Sequence, residues 1–115
     1  MKRCCENCFG DPGLTRNIIP MLVEQEDEKF RSAQTCDYCK SRDVATIPPP
    51  ALSEWFEMVR ELYVPGEDGA SLAVSFKKDW RLFEHPNLDE ANAQILLAEI
   101  FEDGEIVRQN FVPFN

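Results

Sequence analysis

No apolar run in this sequence approaches the roughly 20 residues needed to cross a membrane, and the basic start Lys2-Arg3 is not followed by the hydrophobic stretch of a secretion signal. Both absences point to a soluble, cytoplasmic chain, a compartment in which thiols stay reduced. Histidine occurs once, at His85, and no serine or cysteine is spaced to use it as a base. A glycine-rich phosphate loop is missing as well. Positive charge is scarce, with 12 Lys and Arg against 21 Asp and Glu and a formal net charge of -9. Phosphate backbones attract lysine and arginine through counterion release, so a chain with this balance makes a poor general nucleic-acid ligand.

The shortage of positive charge is uneven. Residues 1–50 carry seven basic and eight acidic side chains, a local charge of -1, whereas residues 51–115 carry five and thirteen, a local charge of -8. At 115 residues the chain has surface enough to bury one core and too little for two.

Cysteine, by contrast, is concentrated. Cys5 and Cys8 form one Cys-x-x-Cys pair and Cys36 and Cys39 a second, with 27 residues between the pairs. Two residues between ligands let both sulfurs of a turn face one ion, and four thiolates suit tetrahedral zinc. With sulfur at every corner no position is left for water or substrate, which makes the expected Zn2+ structural and leaves catalytic and other cofactor-binding residues unassigned. Three alternatives use the same residues. A thioredoxin-like redox pair is one, although neither pair follows a βαβ pattern. Iron in a rubredoxin-like site is another. In the third, Cys4 replaces Cys5 through a three-residue spacing.

Asp11-Pro12 reads as a helix start, and Leu14, Ile18, Met21 and Leu22 recur at helical spacing. Pro20 predicts a kink or an end near Ile19. The charge-rich residues 24–31 read as a solvated helix face or loop. After the second cysteine pair, residues 44–47 have strand character and would complete a ribbon-like hairpin. Pro48-Pro49-Pro50 reads as a stiff spacer. An apolar stripe through Trp55, Phe56, Val59 and Leu62 predicts a helix over 51–63, stopped by Pro65-Gly66. A Gly-Glu-Asp-Gly linker then leads to a helix capped by Ser71, and Asn87 with Glu90 predicts a capping box for a third. Residues 105–115 read as a short strand or tail. The expected architecture is mainly α with a small β-hairpin: a zinc-ribbon-like module over 1–47, a proline linker over 48–50 and a helical subdomain over 51–115, together forming one compact unit.

The segment Cys4-Cys5-Glu6-Asn7-Cys8-Phe9-Gly10-Asp11, the helix around Leu14 and Ile18, Cys36-Asp37-Tyr38-Cys39 and the later Asp79-Trp80-Arg81-Leu82-Phe83 together resemble the HEPN/RES N-terminal domain family. The resemblance implies a zinc-binding helical domain found ahead of RES domains in bacterial toxin-like proteins. RES domains consume NAD with residues of a separate domain, and none of those residues can be assigned here. Catalytic HEPN ribonucleases carry an arginine and a histidine with four to six residues between them, whereas Arg81 and His85 have only three between them and a proline after. The expectation is therefore a non-enzymatic protein-interaction or regulatory module of a bacterial toxin or defence effector, with a protein partner. Two other classes stay open: a nucleic-acid-binding zinc module using Lys2, Arg3, Arg16, Lys40 and Arg42, and a degenerate HEPN-like ribonuclease.

Overall fold

Turns, not strands, organise the first third of the chain. The computed structural model describes residues 2–114; Met1 and Asn115, the outer limits of the two expected modules, lie outside the described residues. Asp11 starts the first helical segment as its sequence predicts, its carboxylate accepting the Leu14 N–H at 3.1 Å and its carbonyl the Thr15 N–H at 3.0 Å. Pro20 does not end this segment. A π-helical turn, Leu14–Ile18, leads directly into α1 (Ile19–Glu24), with the proline at the second position of α1. The wider turn shifts the hydrogen-bond ladder by one residue just where an α-turn would drive the proline ring against a carbonyl. Arg31 then closes the end of α1, its Nε bonding the Glu26 carbonyl at 2.9 Å and its Nη2 the Glu24 carbonyl at 3.0 Å.

The expected strand over 44–47 is reduced to isolated bridges, Gln34 with Val44 and Cys4 with Ile47. Arg3 does much of the joining there. Its guanidinium bonds both oxygens of Thr46 at 3.0 Å, pairs with Glu26 and lies 3.6 Å from the centre of the Phe30 ring.

Pro48-Pro49-Pro50 is no spacer either. Pro49 is buried and opens a 3-10 turn, Pro49–Leu52, that runs into α2 (Ser53–Arg60). Proline is suited to such a first turn because its missing N–H has no partner to lose. The residues read as a Gly-Glu-Asp-Gly linker belong to β1 (Tyr63–Ser71), which pairs antiparallel with β2 (Asn110–Pro113). Phe111 opposes both Pro65 and Ala70, so residues 66–69 bulge out of the ladder. Gly69 permits that return, since a Cβ there would sit 1.9 Å from the Phe111 carbonyl oxygen.

Two more helices follow, α3 (Leu72–Trp80) and α4 (Glu90–Phe101). Ser71 caps α3 as expected, accepting the Val74 N–H at 3.3 Å. The cap of α4 is Asp89 and not Asn87; its carboxylate accepts the Asn92 N–H at 2.9 Å, and Glu90 accepts the Ser71 hydroxyl instead of closing a capping box. The fold is thus mainly α with a small antiparallel β element, and its four-cysteine, zinc-ribbon-like module packs on a bundle of helices.

A single core spans both parts. Phe56 of α2 is fully buried, with ring centroids 5.8 Å from Phe9, 5.0 Å from Trp55, 6.0 Å from Phe76, 6.4 Å from Phe83 and 6.3 Å from Phe101. At its edge the Tyr63 hydroxyl donates to Asp79 at 2.7 Å and accepts the Trp80 indole N–H at 3.2 Å. Burial and the bond to Asp79 push the Tyr63 phenol up to about 12. A phenol raised in the folded state stabilises it fully below the unfolded value near 10 and loses that contribution as pH climbs toward 12. Tyr63→Phe is expected to cost about 1–2 kcal/mol at pH 7 in denaturant melts, and to flatten the fall in stability between about pH 10 and 12.

Candidate metal centre

Each cysteine pair is shaped by its own backbone. Cys5 caps a 3-10 turn, Glu6–Cys8, in which the Cys8 N–H bonds the Cys5 carbonyl at 3.1 Å and the Phe9 N–H the Glu6 carbonyl at 3.1 Å. In the second turn the Tyr38 and Cys39 N–H groups both donate to the Cys36 sulfur, each at 3.4 Å. Lys40 then takes a left-handed conformation, φ 66°, and its N–H returns to the Cys36 carbonyl at 3.1 Å. One backbone bond and one side-chain bond between Arg3 and Asp37 hold the turns side by side: Asp37 N–H to the Arg3 carbonyl at 3.0 Å, and Arg3 N–H to the Asp37 carboxylate at 2.7 Å.

This places the sulfurs of Cys5, Cys8, Cys36 and Cys39 within 4.8 Å of one another, with all four residues buried. Close approaches run across the two turns, 3.5 Å from Cys5 to Cys39 and 3.4 Å from Cys8 to Cys36. A tetrahedral ion with metal–sulfur bonds of about 2.3 Å separates its sulfurs by about 3.8 Å, so the cluster has the dimensions of such a site. These cysteines are free, and the spacings are far beyond a disulfide bond of about 2.05 Å. The donor set therefore fits a metal ion such as zinc.

The electrostatics agree. Hydrogen bonds from Cys5 and Cys8 hold the Cys36 thiol well below its usual range, while the bond to Cys36 pushes Cys5 and Cys8 well above theirs. Four neighbouring thiolates repel one another in a buried space, and a divalent cation is what lets all of them ionise.

Cys4 is not part of the cluster. Its backbone makes two 2.9 Å bonds with Ile47, and its sulfur lies 3.6 Å from the Ile47 carbonyl. Adjacent residues of extended chain point to opposite sides, so Cys5 reaches the cluster and Cys4 the core. Burial pushes the Cys4 thiol up.

The helical part reaches each turn with one hydrogen bond. The Phe83 N–H donates to the Cys8 carbonyl at 3.1 Å, and the Asn87 side-chain amide donates to the Cys39 carbonyl at 2.7 Å. Phe83 accepts a positive φ of 59° to do so, a strain offset by burying its ring beside Phe9 and Phe56. Gly10 serves the same contact: its φ is not positive, and its role is to let the Arg81 carbonyl come close, 2.3 Å from where a Cβ would stand. Asn87→Ala is expected to cost about 1–2 kcal/mol in thermal melts and to loosen the metal by up to about tenfold in competition with a chelator.

Four of the other candidate residues, His85, Arg81, Lys40 and Arg3, are held by the fold. His85 accepts the Asn87 N–H at Nδ1, 3.1 Å away, and Arg81 forms the left-handed cap of α3. Lys40 bonds the Asp37 carbonyl at 2.8 Å, and Arg3 is engaged as described above. Among the described residues no helix is long and apolar enough to cross a membrane. No family model, curated protein or solved structure matches the chain.

Proposed function

We propose that this chain is a non-catalytic module, held in shape by structural zinc at Cys5, Cys8, Cys36 and Cys39, that acts by contact with a protein partner. The observation that carries the proposal is closure: four buried sulfurs within one small space take every corner of a tetrahedron. Bound there, zinc supplies a cross-link between two turns and the charge that keeps four thiolates together. The chain contributes the N–H donors to Cys36 and the Phe83 and Asn87 bonds that orient the turns. The resemblance to HEPN/RES N-terminal domains makes a bacterial toxin or defence effector in the cytoplasm the proposed setting.

The nucleic-acid reading is the weaker one, because Arg3 is already bonded to Thr46 and Glu26 and stacked on Phe30. Zinc-loaded protein incubated with RNA, and separately with NAD, is expected to leave both intact and to bind RNA no better than other acidic proteins. Turnover of RNA that disappears in Arg81→Ala, or salt-sensitive RNA binding, would contradict the proposal.

A further inference from the structure

We propose that the groove between the first helical segment and α2 docks a basic amphipathic helix of a protein partner. This rests on the interaction-module reading and assigns it a surface and a ligand chemistry. The groove has a volume of about 480 Å³; Ile18, Met21 and Leu22 form one wall and Trp55 and Met58 the other, with Glu54 beside them. Met21 is 50% exposed and Met58 64%. A folded chain gains nothing by displaying such residues together, and unbranched methionines adapt to the contours of an incoming helix. Trp55 offers a firm wall, its ring held edge-on by Phe56 at 5.0 Å and Trp80 at 6.4 Å.

Charge selects the occupant. No lysine or arginine lines the groove, whereas Glu54 does, and Arg60 of the same helix is already paired with Glu57 at 3.0 Å. A second copy would bring a further net charge of -9 against this one, and an anionic membrane would repel the chain in the same way. A helix with an apolar stripe flanked by lysine or arginine satisfies both the apolar walls and the acidic edge.

The test uses the full zinc-loaded chain with labelled methionine methyls, titrated with a synthetic amphipathic Leu/Lys helix and with a Leu/Glu helix of the same apolar stripe. The Leu/Lys peptide is expected to shift the Met21 and Met58 signals with an affinity that falls as salt rises. M58K, at a site exposed enough to leave the fold intact, is expected to weaken it by at least about tenfold, and the Leu/Glu peptide to leave both signals in place. The proposal is overturned if the Leu/Lys peptide fails to bind, if both peptides bind equally, or if M58K binds as wild type. It is equally overturned if the methyl shifts appear on concentrating the protein alone or on adding phosphatidylserine vesicles. Those failures would remove the groove and leave the interaction-module reading standing, which falls instead if the protein turns over RNA or NAD.

Discussion

Stripping the metal from the zinc-loaded protein with a strong chelator is expected to unfold the entire chain, and Cys36→Ser to do the same without a chelator. Structural zinc in small modules supplies on the order of 10 kcal/mol or more, comparable with the whole stability of a typical domain of about 5–15 kcal/mol. The loss should not stay within residues 1–47, because Phe9 of the metal-binding part packs on Phe56 and Phe83, and Cys8 and Cys39 accept hydrogen bonds from the helical part. Helical circular dichroism and tryptophan fluorescence should therefore fall together in one transition and return together on adding zinc. Protons compete with the ion for sulfur, so acidification should produce the same transition. A chelated protein that keeps its helical signal would contradict the shared core.

Phe56→Ala is the second large effect, at about 3–5 kcal/mol, because it empties a fully buried site where five aromatic rings meet. That corresponds to a fall in Tm on the order of 10–20 °C for a domain of this size, measured by calorimetry on metal-loaded protein. Met58→Ala, two residues along the same helix but 64% exposed, is the control and should stay within about 0.5 kcal/mol. Equal losses from the two would mean that Phe56 is not the centre of the core.

Local signals were legible in the sequence and distant partnerships were not. The cysteine spacing predicts the cluster because two residues between ligands determine how a turn presents its sulfurs, and Asp11 and Ser71 are readable as caps because each bonds an N–H three residues away. Asn87 carries the same kind of cap signal, yet its amide is taken by Cys39, 48 residues back, and Asp89 caps α4 in its place. Nothing near Asn87 announces that partner. Similarly, Pro65, Gly66 and Gly69 spell a linker by composition, and only pairing with β2 makes a bulged strand of them. Spacing favours Cys5 over Cys4 as the ligand; the Ile47 bridge, which sends Cys4 into the core, separates them in space.

The most direct test is metal stoichiometry across the five single cysteine-to-serine variants, by elemental analysis of freshly purified protein. One equivalent of zinc is predicted for wild type and for Cys4→Ser, with loss of tight binding in the Cys5, Cys8, Cys36 and Cys39 variants. Wild-type protein without stoichiometric metal, or a Cys4→Ser variant that loses it while Cys5→Ser keeps it, would contradict the account.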